Sequence, residues 1–477
     1  MFQEFHTPAF RPAINVGCLM DISSGHYEKG PNGEMVLNGG LDALTGIASR
    51  PNNFKTALGV YMLAMARRAF PTSHSMIYDT EGTLDPVKRF ASVAQHFSEL
   101  DQIDWANDPY FKFTDLSRYN GDEFFFQLRK ALDGKVKSEK EYVRTSPFVG
   151  IDGKPKKFMH PTMAFIDSFS KFQVQAVEEM YSKHKIGDSK VNTDAMTNGK
   201  AKNQLFNQLP QICAKSNAYI ILTAHVGDVI NMEMYPTDKR NLTEMKRDTV
   251  LKGVSGGFYS LPNNVFSVES NKVMLNQDKM PIYPLDNATA MQGDSDLRIL
   301  EIKNWRAKKG ITGVPFYIIV SQTEGVLPAL SEFHYCKENG FGIGGNLQNY
   351  FIELCPDVSL SRTKVRQKLN GDAKLRRAVE IQSEMLQLVQ FHRRLDVPTP
   401  SELFEGLKKM GYDWDVLLGT TRGYWMCEEE EHLSDKKFLS TLDLMRMLKG
   451  EYVPFWMTKE EKAKILPLAL LNMPAAA

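Results

Sequence analysis

From about residue 36 onward, short apolar runs alternate with amphipathic stretches. That pattern predicts a mostly parallel sheet with covering helices. The segment "TALGVYMLAMARRAF" after Lys55 reads as a helix, and "SMIYDTEGT" as a strand ending in acids. "DEFFFQLRKAL" is a second helix, residues 133–161 form an insertion read as a hairpin, and "TMAFIDSFS" is a buried strand. "NQLFNQLPQICAKS", with Pro210 marking a kink, predicts a helix leading into the strand "NAYIILTAHVGD". Residues 228–255 carry no apolar period and are expected to form a long polar loop. "GGFYSLPNNVFSVES" and "RILEIKNWRAKKGITGVPFYIIVSQTEGVL" return to strand patterns, and after Gly345 the periodicity turns helical. Residues 1–35, with Gly25, Gly30, Pro31 and Gly33 and little periodicity, read as an extended arm or small lead-in. The expected layout is therefore this lead-in, an α/β core over 36–335, and a mainly helical domain over 345–477. Trp414, Trp425 and Trp456 are assigned to its core.

Composition narrows the function classes. A chain of 477 residues fits two or three domains, and 42% hydrophobic with 24% charged residues is an ordinary globular balance. Lys and Arg total 58 against 57 Asp and Glu, so no global basic field attracts nucleic acid. Any such contact must come from local patches. The five cysteines are scattered without a C-x-x-C, which argues against a zinc site or a disulfide framework and for a reducing cytoplasm. The longest apolar runs are strand-sized, so no membrane partner is expected. The basic stretch 362–377 reads as a solvated helix face rather than a DNA surface, balanced by "EEEE" at 428–431.

The candidate chemistry begins at "IASRPNNFKTALGV", Ile47 to Val60. It is spaced like the phosphate-binding motif G-x-x-x-x-G-K-[ST], with Ser49 and Phe54 in the two glycine positions. Lys55 and Thr56 open a helix, where backbone N–H groups and the helix dipole favour an anion. Asn52 and Asn53 are the non-glycine residues most tolerant of left-handed backbone, and with Phe54 they would wrap phosphate. Nucleoside triphosphate chemistry also needs an oxygen pair for Mg²⁺ and a carboxylate to orient water. Thr56 with Asp167, at the end of "MAFID", suits the metal, and Glu81 suits the water. His225 closes a third apolar strand, placed to sense the γ-phosphate.

In this order, "NGGLDALTGI…FKTAL", "IYDTEGTLDP", "FIDSFSKF", "IILTAHVGD" and "GGFYSLPNNVFSV" resemble the core of the RecA-type recombinases over residues 36–330. The T-even phage branch is the most similar. The resemblance implies a RecA-like P-loop ATPase core that binds ATP and Mg²⁺, with Glu81 as catalytic glutamate and Asp85 as an adenine contact. Lys88 stands where bacterial members have an adenine-stacking tyrosine. His225 holds the place of their glutamine switch, and the phage branch shares both that His and the Phe before the lysine. Ser49 departs from the branch. Residues 226–257 correspond to a DNA-binding loop, with Lys239, Arg240, Lys246, Arg247, Lys252 and the Gly256-Gly257 pair. An earlier loop offers Lys200 and Lys202. "EIKNWRAKKG" resembles the strand that carries cations to a neighbour's γ-phosphate, which nominates Lys303 and Arg306. The implied partners are single-stranded DNA, further copies in a helical filament with ATP between protomers, and single-strand-binding and loader proteins in a phage-infected cytoplasm. Two other readings stay open. One is a hexameric DnaB-type helicase, and the other an ATP-binding filament protein without efficient hydrolysis.

Overall fold

Apolar runs that alternate in side-chain direction must be covered on both faces, and the arrangement of the strands follows from that requirement. The computed structural model describes residues 10–80, 82, 85–116, 121–138, 142–171, 175, 179, 194–229, 240–427 and 435–465. Its strands in chain order begin with β1 (His26–Lys29), β2 (Met35–Asn38), β3 (Leu44–Ser49), β4 (His74–Asp79) and β5 (Phe111–Asp115). Next come β6 (Val143–Val149), β7 (Pro155–Met159), β8 (Thr162–Asp167), β9 (Ala218–Asp228) and β10 (Thr249–Lys252). β11 (Asn264–Val273), β12 (Leu297–Ala307), β13 (Pro315–Ser321) and β14 (Gly325–Val326) complete the central set. Among the described residues, ten of these form one sheet in the order β14-β13-β12-β11-β3-β9-β8-β4-β5, with β10 on β9. The run from β11 to β5 is parallel. β12, β13, β14 and β10 pair antiparallel.

Helices lie on both faces. α1 (Lys55–Ala69) packs with Ile47, Ile77, Phe165 and Ile221, while their sequence neighbours Ala48, Met76, Tyr78, Ile166 and Leu222 face a second cluster. That second cluster contains Phe206, Leu209 and Cys213 of the helix Asp194–Ser216. Gly59 sets the closeness of α1 to the sheet, because a Cβ there would fall 2.3 Å from the Phe165 ring. Residues 143–159 form the expected hairpin, β6 against β7.

Several elements differ from the sequence expectation. The lead-in is not extended. Ile14 bridges Leu41, β1 pairs with β2, and Ile14, Val16, Cys18 and Met20 are buried in the main core. Several of its polar residues are buried too, among them Asn15, Asp21, Ser23 and Ser24. Asp21 accepts the N–H groups of Val16 and Gly17, and Asn15 donates to the carbonyls of Leu37 and Gly39. The expected loop 228–255 begins and ends as a hairpin, because β9 continues to Asp228 and pairs there with β10. The helix Asp194–Ser216 starts earlier than expected and runs through Pro210.

The chain after β14 is a helical region with short two-stranded pairs, and its core is shared with the sheet. The helix Pro328–Glu338 packs against β13 and against the long helix Ala373–Phe391. Trp414 and Trp425 are buried, with their indole N–H groups donating to Leu354 O and Ala13 O. Trp456 is half-buried and donates to Phe438 O. The stretch 362–377 is a solvated face only in part: Lys364, Lys368 and Lys374 are exposed, whereas two of its arginines are buried. Arg366 is buried between Asp296 (3.1 Å) and Glu324 (2.5 Å), and Arg377 donates to Leu439 O and Glu380. No described helix is long and apolar enough to cross a membrane.

This shared interface contains an ionisable carboxyl with a measurable consequence. Burial pushes the Glu384 carboxyl up to about 7, with Glu380 reinforcing it and Arg377 and the Thr441 hydroxyl opposing it. A carboxyl raised in the folded state contributes stability below its unfolded value near 4.5 that is lost as pH rises through 7. Glu384→Gln is therefore expected to shrink the drop in unfolding free energy between pH 4.5 and pH 8, by at most about 3 kcal/mol. Denaturant unfolding at both pH values measures it, and an unchanged drop would show that Glu384 titrates normally.

Candidate functional site

Parallel strands deliver their carboxyl ends to one edge, and here that edge gathers the candidate chemistry. β3, β9, β8 and β4 are consecutive neighbours. Ser49 is in register with His225, and Asp79 with Asp167. The loop after β3 turns directly into α1 at Lys55. Phe54 is the N-cap at φ 58° and ψ 22°, and no side chain caps the helix, so the first-turn N–H groups are left without a capping side chain. Phe54 thus adopts the left-handed conformation natural to the glycine whose position it fills. Asn52 also has positive φ, at 62°, whereas Asn53 does not. The left-handed pair is Asn52 and Phe54, not the expected Asn52 and Asn53. Ser49 ends the strand, fully buried, with its hydroxyl on Arg50 O at 2.8 Å. Arg50 reaches across to Asp228, Nη1 to Oδ2 at 2.9 Å, fastening the loop to the end of β9.

Asp167 is the centre of the edge. Its Oδ1 accepts from the Thr223 hydroxyl at 2.5 Å, and its Oδ2 accepts from the Thr56 hydroxyl. Burial raises its pKa; the bonds from Thr223 and Thr56 and the charge of Lys55 lower it, and Asp79 raises it again. The net direction is up, with burial as the largest cause. Thr80 N donates to Asp167 O at 2.8 Å, tying the start of the "DTEGTLDP" segment to this strand end. Among the described residues no group of three His, Cys, Asp or Glu is arranged around a metal. The Thr56–Asp167 oxygen pair nevertheless fits Mg²⁺, which takes one or two protein oxygens and fills its shell with water and phosphate.

The structure thus brings Lys55, Thr56, Asp167 and His225 together, half-buried or buried, at one strand edge. Glu81 and Lys239 lie outside the described residues, as does most of the loop preceding Lys200. Asp85 is exposed and caps the helix Pro86–Ala94, its carboxylate accepting from Lys88 N at 3.0 Å. Lys252 pairs in register with His225 and is exposed, so this cation sits beside the candidate sensor. Arg240, Lys246 and Arg247 are exposed on the segment leading to β10. Lys246 pairs with Glu269 at 3.1 Å, and Glu269 also accepts from Trp305 Nε1 at 2.7 Å. Arg240 Nη1 donates to Thr243 O and Met245 O. Gly256 is exposed, whereas Gly257 is buried against Phe206 and serves packing. Lys303 and Arg306 lie half-buried on β12, two strands from β3, with Arg306 Nε donating to Pro262 O at 2.8 Å.

Lys200 is exposed, but Lys202 is not the DNA-facing lysine expected from the sequence. It is 3% exposed, and Nζ donates to Ser170 O at 3.1 Å and Gly253 O at 2.8 Å, with Phe169 O at 3.4 Å. Burial pulls its ammonium down to about 8. The reason is helical phase: with the helix starting at Asp194, Lys202 shares the face of the buried Phe206, Leu209 and Cys213. Asp79, Thr223 and the Arg50–Asp228 pair were missed by the sequence reading. For Asp79 a signal existed, because it is the first acid after the apolar run of β4. Thr223, inside "IILTAH", carries none. The sequence matches no protein-family model and no curated protein.

Proposed function

We propose that this chain is an ATP-dependent DNA recombinase of the RecA type, resembling the T-even phage recombinase UvsX. It would coat single-stranded DNA as a helical filament and promote homologous pairing and strand exchange. The observation that carries the reading is the convergence of the α1 start, Asp167 with its two threonine hydroxyls, Asp79 and His225 on adjacent strand ends. In this mechanism Lys55 and the first-turn N–H groups of α1 hold the β- and γ-phosphates. Thr56 and Asp167 are the groups that would hold Mg²⁺, which supplies charge neutralisation when bound. Glu81 orients the attacking water. His225 senses the γ-phosphate, and its strand partner Lys252 belongs to the segment assigned to DNA. Lys303 and Arg306 would act on the nucleotide of an adjoining protomer, so assembly raises turnover.

The deciding experiment mixes the protein with single-stranded DNA and a non-hydrolysable ATP analogue for electron microscopy, alongside a joint-molecule assay with ATP. Helical filaments and joint molecules are expected. Rings that unwind forked duplex without joint molecules would replace this reading with the helicase one. ATP binding without DNA-stimulated phosphate release would leave a filament protein that does not hydrolyse.

A further inference from the structure

Away from the strand edge, a half-open cavity of about 140 Å³ lies between the C-terminal end of α1 and the helical region. It exceeds the roughly 10–15 Å³ that a single water needs. Its wall is unusually cationic, with Arg68, Arg376, Arg377, Arg422 and Lys436 facing Glu99, Glu332 and Glu380. Five cations thus face three carboxyls, and against burial, the largest influence, Tyr424, Glu99 and Glu380 together hold the Arg68 pKa above its usual value. Glu99 is paired with Lys436, and Glu380 with Arg377 at 2.9 Å. Glu332 is buried, accepts Cys18 N at 3.2 Å, and is driven toward its neutral form by burial and by Glu380 and Glu384.

Arg68 and Arg376 feel Glu99 and Glu380 only at a distance. Neither forms an ion pair among the described residues, and the buried Arg68 Nε and Arg376 Nη1 have no hydrogen-bond partner. Both are held by ring faces. The Arg68 guanidinium carbon is 4.7 Å from the Phe97 centroid and 4.1 Å from that of Tyr424, and that of Arg376 is 5.6 Å from Phe97. Such contacts fix the planar groups and use none of their N–H donors, which remain directed within their planes. Two like charges on one ring also repel, and burial followed by Arg68 lowers the Arg376 pKa. A small tetrahedral oxyanion would satisfy these donors and cancel the repulsion together.

We propose that the chain carries a second oxyanion site, for free phosphate or pyrophosphate, built on Arg68 and Arg376 and independent of the Lys55 loop. The test uses the full chain carrying Lys55→Ala, which removes the first site from the measurement. Inorganic phosphate and pyrophosphate are titrated separately by calorimetry and by thermal unfolding. Saturable binding and a raised melting temperature are expected with at least one of them. Adding Arg376→Gln should weaken that binding about tenfold or more, and Arg376→Lys should weaken it less. In the absence of anion, Arg376→Gln should melt no lower than its parent, because it removes an unpaired cation; this separates lost binding from lost folding. No saturable binding to the Lys55→Ala chain would overturn the proposal. So would Arg376→Gln binding as its parent does.

Discussion

Lys55→Ala is expected to abolish the ATP dependence of single-stranded DNA binding and to lower DNA-stimulated phosphate release by about 10²–10³-fold, the scale of one lost electrostatic contact to a developing charge. The geometry makes the effect specific. Lys55 is half-buried at the first position of α1, above a helix end with no capping side chain and beside a carboxylate whose pKa burial has raised. Its removal leaves the packing of α1 on β8 intact, because that contact is made one turn later by Gly59 against Phe165. Anisotropy of labelled single-stranded DNA, with and without a non-hydrolysable ATP analogue, reads the effect, and near-UV circular dichroism checks the fold. Nucleotide-independent residual binding should remain, carried by exposed cations such as Arg247 and Lys252. Undiminished ATP-dependent binding in the variant would remove the α1 start from the mechanism.

The strand edge was legible in the sequence because its strands are apolar runs closed abruptly by a polar residue, as in "MAFID" and "IILTAH". A run of that kind has one plausible burial, and the parallel order places all its ends together. What was not legible depended on partners far away in the chain. The lead-in was opaque because its buried positions include Asn15, Asp21, Ser23 and Ser24, whose burial is stabilised by hydrogen bonds rather than by apolar period. Arg366 and Arg377 read as solvent-facing charges, since nothing local reveals Asp296, Glu324 or Leu439 O waiting opposite. Phe54 was readable as a substitute for glycine, but only the backbone shows it, rather than Asn53, adopting the left-handed turn.

Lys202→Met is expected to uncouple the two halves of the proposed mechanism without removing a DNA contact. Nζ joins the segment after Asp167, through Phe169 O and Ser170 O, to Gly253 O at the end of β10. Ser170 also accepts His225 N on its hydroxyl at 3.0 Å, so the candidate sensor, the Asp167 strand end and the DNA-assigned segment meet at one ammonium. The energies decide what kind of loss to expect. Hydrogen bonds from a charged donor contribute roughly 1.5–3 kcal/mol each. Against this, lowering a lysine from 10.5 to about 8 costs about 3 kcal/mol of the charged form. The three bonds together outweigh that cost, so global stability should fall by about 1.5–6 kcal/mol as the three carbonyls lose their common donor. Hydrogen exchange should accelerate at residues 225–228 and 249–253, and ATP should no longer strengthen DNA binding. The salt dependence separates this from the role first expected of Lys202. A lost phosphate contact would lower the log–log salt slope for single strands by about 0.7, whereas loss of an internal tie leaves that slope unchanged. A reduced slope with ATP dependence intact would return Lys202 to the DNA surface, and it would require its helix to turn from the position seen here.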